Sequence, residues 1–360
     1  MIFIGCAFNQ TYERVRFHKQ TPRASCSENS VCLSTPHSAL LQGIGDDAAV
    51  IRSTGGKDSL VTTDLLIEAI DFKRDSITPE LLGHKALAVS LSDIAAMGGR
   101  ARWGFISIGL PEDVWESGFA ERFYDGYLEL ANHYGVELAG GDVSRAPEKI
   151  VVDSMLIGEC HSGHAVLRRG ATPGDQIFVT GFLGDAAAGL RLIERGARVP
   201  VASGPKRLEE HSADRLLLRQ LRPDPRVGWG ILLGEQQLAS SMIDISDGLS
   251  SDLNHLCNES NMGALIDAAR LPIDRLVTEI CGRRALDPLM LALHGGEDFE
   301  LLFTVKPENV HKLPKRVDGV SVTHIGAIKE ESHGVKISEG ARVWNLEPGG
   351  WEHFRKSKDE

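Results

Sequence analysis

The chain has 360 residues, 42% of them hydrophobic and 25% charged, and a net charge of −11. This is ordinary globular chemistry with length enough for two domains, and an acidic balance without any Lys/Arg-rich run excludes an electrostatic nucleic-acid surface. No stretch approaches about 18 consecutive apolar residues, and the apolar start Met1 to Ala7 is too short for a signal peptide, so a soluble cytoplasmic protein without a membrane partner is expected. Cys6, Cys26, Cys32, Cys160, Cys257 and Cys281 form no Cys-x-x-Cys pair and read as reduced, mostly structural thiols.

Residues 1–37 mix Arg, His, Ser, Cys and Pro without periodicity and read as an N-terminal arm. Gly43 to Val50, Gly-Ile-Gly-Asp-Asp-Ala-Ala-Val, then places Asp46 and Asp47 between flexible glycines and the start of an apolar strand. Two such carboxylates repel unless a cation neutralises them; a turn with solvated acids is the other reading. Leu60 to Ile67 reads as a strand with Asp64 inside its apolar run, either a strand-end turn residue or a metal ligand from the same sheet as Asp47. Thr78-Pro79-Glu80 starts a helix and Gly98-Gly99 stops it. Counting from Leu82, positions Ala86, Val89 and Asp93 follow at +4, +7 and +11, which projects Asp93 from the apolar face. A carboxylate there is either a ligand or catalytic group, or a buried hydrogen-bonded acid.

Trp103 to Leu110 reads as a strand and Val114 to Tyr134 as one amphipathic helix. Val136 to Ala139 leads into a strand-end turn, Gly140-Gly141-Asp142, before a further strand at Ile150 to Leu156. The texture changes near residue 165, giving expected domains 38–165 and 166–360. The second half holds a strand at Ile177 to Thr180, a helix at Asp185 to Glu194, an exposed loop from Arg198 to Glu209 and a helix ending over Leu216 to Leu221. Ser241 to Ile245 runs into Ser246-Asp247-Gly248, with Asp252 in the next helix. Gly295-Gly296-Glu297-Asp298-Phe299-Glu300 precedes the apolar strand Leu301 to Val305, and Gly349-Gly350-Trp351 lies near the end. Strands alternate with helices in both halves, so mixed α/β architecture is expected. Walker, protein-kinase and zinc signatures are absent from the sequence, while many Asp with almost no adjacent His favour magnesium over zinc.

Taken together, Gly-Ile-Gly-Asp-Asp-Ala-Ala (43–49), Thr-Thr-Asp (62–64), Lys-Ala-Leu-Ala-Val-Ser-Leu-Ser-Asp-Ile-Ala-Ala-Met-Gly (85–98), Gly-Gly-Asp (140–142), Ile-Asp-Ile-Ser-Asp-Gly-Leu (243–249) and Gly-Gly-Glu-Asp-Phe-Glu (295–300) follow the order of one family. From about residue 38 onward the chain resembles the bacterial thiamine-monophosphate kinases, relatives of aminoimidazole ribonucleotide synthetase, selenophosphate synthetase and the hydrogenase maturation dehydratase. The resemblance implies a two-domain aminoimidazole ribonucleotide synthetase-like fold. It implies an N-terminal α+β domain that would pair its strands across a homodimer, followed by a C-terminal α/β domain. It implies several Mg²⁺ ions on Asp47, Thr62, Thr63, Asp64, Asp93, Asp142, Asp244 and Asp247, with Asp64, Asp93 and Asp247 catalytic. ATP would contact Tyr124, Gly141, Asp142, Arg168 and Ser246; thiamine monophosphate would contact Glu297 and Trp351. Where the family reads His-Phe this chain has Asp71-Phe72, so the substrate contact expected at Asp71 is an acid.

The activity so implied is transfer of the ATP γ-phosphoryl group to thiamine monophosphate. A sister enzyme that activates an amide or a selenide is disfavoured, because no C-terminal cysteine and no Cys/Lys pair near the start is present. A catalytically silent nucleotide- or cation-binding protein is the alternative from another class.

Overall fold

The side-to-side alternation of Lys57–Ile67 decides which acids face inward, because successive residues of a strand point to opposite faces. In the computed structural model, which describes residues 39–199, 212–284 and 286–351, this segment is β3 of a six-stranded sheet. The others are β1 (Leu40–Gln42), β2 (Ala49–Arg52), β4 (Arg100–Leu110), β5 (Glu137–Arg145) and β6 (Val151–His161), in the order β1-β2-β3-β6-β4-β5. Between β3 and β4 runs α1 (Pro79–Ala96). Thr78 caps it by accepting from Leu81 N at 3.4 Å, Pro79 opens the first turn, and Gly98 at φ 71° follows the last.

Neighbouring strands are antiparallel except β4 and β5, a parallel pair that needs a crossover. It comes as two helices, α2 (Glu112–Glu116) and α3 (Phe119–Tyr134), where the sequence suggests one. Gly118 at φ 72° breaks the run. The expected turn at Gly140-Gly141-Asp142 is also corrected: the strand continues to Arg145. Gly141 sits at φ 154°, and a Cβ on it would overlap the Ile106 carbonyl. The glycine marks close strand approach rather than a reversal.

The second half contains β7 (Gln176–Thr180), α4 (Asp185–Glu194), α5 (Ser212–Leu221), α6 (Val227–Glu235), β8 (Ala239–Asp244), α7 (Leu249–Ser260) and β9 (Met262–Asp267). It continues with α8 (Arg275–Arg284), α9 (Pro288–His294), β10 (Leu301–Val305), β11 (Arg316–Val317), β12 (Val320–Glu330), β13 (Val335–Glu339) and β14 (Arg342–Asn345). These strands form an eight-stranded sheet in the order β14-β13-β9-β12-β7-β10-β8, with β11 beside β12. The fold is therefore mixed α/β with two mixed sheets. The expected arm at 1–37 and most of the loop expected at Arg198 to Glu209 lie outside the described residues.

Helix α1 joins the two halves. It packs on α3 and on β3, β4 and β6, and on its other side against α6 and β8. The apolar stripe inferred from spacing understates this: from Leu82 to Ala96 every residue but Asp93 is buried, so α1 has no polar face. Gly83 and Gly126 permit the close approach of α1 and α3, since a Cβ on either would overlap a carbonyl of the other helix. No described helix is long and apolar enough to cross a membrane.

Candidate active site

Period-two alternation in β3 sends Thr62 and Asp64 inward to α1 and leaves Thr63 outward. Asp64 Oδ2 accepts from Ser90 Oγ at 2.7 Å, and Asp93 Oδ2 accepts from Thr62 Oγ1. From the second sheet, the last residue of β8, Asp244, accepts from Ser92 Oγ at 2.6 Å. Asp47, just ahead of β2, completes the group: ligand oxygens of Asp47, Asp93 and Asp244 all lie within 4.8 Å of one another. Sequence positions 47, 93 and 244 thus meet because α1 is wedged between the two sheets. A second cluster follows the same β8 turn, where ligand atoms of Asp247, Asp252 and His255 also lie within 4.8 Å; Asp252 additionally accepts from Gly248 N at 2.9 Å.

Burial is the first cause of the electrostatics. It pushes Asp64 up to about 6, with the Asp153 charge adding and the Ser90 hydrogen bond opposing. Asp244 is pushed up to about 7 by burial and by Asp47, and Asp93 is raised by burial and then by Asp64, Asp244 and Asp47. Asp47 is raised by burial although Arg168 opposes it. Arg168 Nη2 donates to Asp47 Oδ1 at 2.6 Å, and its backbone N donates to Asp46 Oδ1 at 3.0 Å. Two atoms here are buried without a hydrogen-bond partner among the described residues: Asp47 Oδ2 and Arg168 Nε. Hard carboxylate oxygens, held by hydroxyl donors and with one oxygen left over, fit magnesium. The neighbouring spare guanidinium donor fits a phosphate.

The expected nucleotide contacts fall partly elsewhere. Tyr124, Gly141 and Asp142 line one cavity of about 400 Å³ along β5, together with Leu138 and Val143. Asp142 stands beside Ser107, then Asp153, then Leu65 across β5, β4, β6 and β3, three strand spacings or roughly 14 Å from β3. Asp142 is thus not brought to the inner acids. Thr63 is also apart, donating to Asp153 Oδ1 at 2.6 Å on the exposed face.

At the other end, Glu297 is half-buried and its backbone N donates to Ser246 O at 2.7 Å, beside Asp247. Trp351 is 56% exposed, and its N donates to Asp247 O at 3.2 Å. A Cβ on the preceding Gly350 would overlap that same carbonyl, so glycine is needed for the approach. Asp71 acts locally, where its Oδ2 accepts from Ile67 N at 2.7 Å and closes the turn after β3.

Sequence reasoning passes over Ser90 and Ser92, which hold Asp64 and Asp244, as well as His255 and the pair Lys85 and Gln220, both buried against Glu297; Asp252 it notes without giving it a role. A signal existed for α1. Lysine and two serines in a helix without a polar face must find partners inside.

The chain is similar to known proteins over most of its length. The family described as AIR synthase related protein matches with its N-terminal domain over residues 45–160 and with its C-terminal domain over residues 172–338. Thiamine-monophosphate kinase of Escherichia coli O157:H7 is 39% identical over 315 residues, spanning 87% of this chain and 91% of the relative. That of Aquifex aeolicus (strain VF5) is 38% identical, spanning 86% and 92%. A solved structure described as AaThiL complexed with AMPPCP and TMP has a TM-score of 0.73 and 36% identity, covering 86% of this chain and 92% of that one. The chain belongs to the AIR synthase related proteins and, among them, to the thiamine-monophosphate kinase family.

Proposed function

We infer that the protein transfers the γ-phosphoryl group of ATP directly to thiamine monophosphate, giving thiamine diphosphate and ADP. The observation that carries this reading is that one carboxylate oxygen, Asp47 Oδ2, and one guanidinium donor, Arg168 Nε, of an ion-paired couple are both buried without a hydrogen-bond partner among the described residues. Such a pair suits a cation and a phosphate bound side by side. Asp47, Asp93 and Asp244 would hold magnesium, with Asp64 and Asp247 adjoining, and magnesium supplies charge neutralisation for the phosphates of both substrates.

Little more is then required of the chain's own residues. Arg168 holds a phosphate oxygen through Nε, while Thr62, Ser90 and Ser92 keep the acids oriented. The acceptor is a phosphate monoester with a second pKa of about 6, so its attacking oxygen is already mostly ionised at neutral pH and no side chain need take its proton. In-line displacement at the γ-phosphorus forms one P–O bond and breaks the bond to ADP. Asp64, Asp93 and Asp247 are the catalytic acids, Ser246 joins Arg168 at the nucleotide, and Glu297 and Trp351 take the thiamine end.

Asp142 lies on the outer face of the first sheet, in line with Ser107, Asp153 and Leu65, and Leu65 and Trp103 are exposed there. Pairing of this face in a homodimer accounts for that surface. A cytoplasmic setting agrees with ATP as co-substrate and with the free buried thiols of Cys160, Cys257 and Cys281.

The test is product analysis with ATP, Mg²⁺ and thiamine monophosphate, beside controls with free thiamine and with EDTA. Metal-dependent thiamine diphosphate from the monophosphate alone is expected. Asp93→Asn should reduce it by at least about a hundredfold with the melting temperature preserved. Product formation without a divalent ion, or unchanged turnover in the variant, would sink the site assignment.

A further inference from the structure

The loop after α9 is held in a conformation its residues do not favour: Glu297 at φ 64° and Phe299 at φ 49° lie in the left-handed region without being glycine. Each acid in it is pinned. Glu300 is buried against Arg226, with two contacts of 2.5 Å, and also meets Arg219 at 2.8 Å and Thr180 at 2.7 Å. Asp298 accepts from Gly184 N at 2.6 Å and Ala186 N at 3.1 Å. Of the three, only Glu297 is open enough to meet a ligand.

What holds the Glu297 side chain is unusual for a solvent-reaching carboxylate. Lys85, on α1, has a side chain only 1% exposed, and a charge at that depth is costly unless paired. Its Nζ lies 2.8 Å from Glu297 Oε1 and donates to Gln220 O at 3.3 Å. Gln220, on α5 and itself buried, turns Nε2 to Glu297 Oε2 and leaves its own Oε1 without a partner among the described residues. Both oxygens of Glu297 are therefore fixed from within, and each keeps a lone pair for a donor arriving from outside. Lys85 stands eight residues before Asp93 on the same rigid helix, about 12 Å along its axis. One element thus sets the separation between the acid cluster and the Glu297 carboxylate.

We propose that Lys85 and Gln220 are positioning residues for the thiamine end of the substrate, holding Glu297 as a fixed, charged acceptor for the amino and cationic groups of that moiety. This rests on the reading of Glu297 as a substrate contact. Neither residue touches substrate; both act through Glu297.

The experiment measures KM for thiamine monophosphate, KM for ATP and kcat in the wild type, Lys85→Met, Gln220→Leu, Glu297→Gln and the double variant Lys85→Met/Glu297→Gln, with melting temperatures alongside. Lys85→Met and Gln220→Leu are expected to raise KM for thiamine monophosphate about tenfold or more while KM for ATP stays within about twofold. The double variant should be no worse than Glu297→Gln alone, because the two residues act through one carboxylate. Should Lys85→Met not fold, Gln220→Leu, which leaves the ion pair in place, gives the same reading. An unchanged KM for thiamine monophosphate in Lys85→Met and Gln220→Leu, with Glu297→Gln impaired, overturns the positioning role and leaves Glu297 in the site. Equal rises in both KM values overturn it in favour of a structural role. An unimpaired Glu297→Gln overturns the substrate contact itself.

Discussion

Asp71 shows how far a single residue can be read. As a departure from a family motif it is conspicuous in sequence, and the resemblance puts it at the substrate; in the structure its carboxylate closes the turn after β3 by accepting from Ile67 N. Removing it as Asp71→Ala is expected to cost about 1 kcal/mol of stability, the usual worth of such a hydrogen bond, with KM for thiamine monophosphate unchanged. Denaturant titration and steady-state kinetics check this, and a large rise in that KM would return Asp71 to the substrate. Asp47 and Asp93 stood out because carboxylates against apolar segments are conspicuous, whereas Asp244 came only with the resemblance; ligand oxygens of the three lie within 4.8 Å of one another. Lys85 was missed because a lysine in a helix is ordinarily solvated, although a helix without a polar face, buried on every side, leaves it no way out.

Whole elements were easier to find than their limits or surroundings. Helix α4 appears where its sequence places it, Asp185–Glu194. Its N-terminus is anchored from a distance by Asp298, whose carboxylate accepts from Gly184 N and Ala186 N. That contact lies across more than a hundred residues and leaves no trace in local sequence. Burial pushes Asp298 up to about 7 from an ordinary 3.8, outweighing the backbone donors and Arg219 that favour its charge. Between those values the folded state keeps a proton that the unfolded chain has lost, so this group's contribution to stability is full below about pH 4 and falls as pH rises towards 7. The slope is at most about 1.4 kcal/mol per pH unit. Asp298→Asn retains an acceptor for the helix terminus and should remove that slope. Unfolding free energies at about pH 4.5 and about pH 7.5 should therefore differ from wild type in this sense: the variant loses less stability on going to the higher pH. An identical pH dependence in both proteins would contradict the assignment.

Across the whole chain, alternating strands and helices with six ordered motifs were enough to foresee a two-part α/β protein with an acidic site. They did not disclose that α1 packs on both sheets, or that β5 continues through Gly140-Gly141-Asp142 and carries Asp142 to the exposed side. Strand order is set by long-range pairing, which local patterning does not encode. What we propose the two halves achieve together is passage of the γ-phosphate from ATP straight to thiamine monophosphate over the buried acids joined by α1. Rapid-quench analysis with ATP radiolabelled on its γ-phosphate decides whether they do. The label should appear in thiamine diphosphate with no labelled protein at any time and no release of inorganic phosphate when thiamine monophosphate is left out; labelled protein, or phosphate release independent of thiamine monophosphate, would contradict direct transfer.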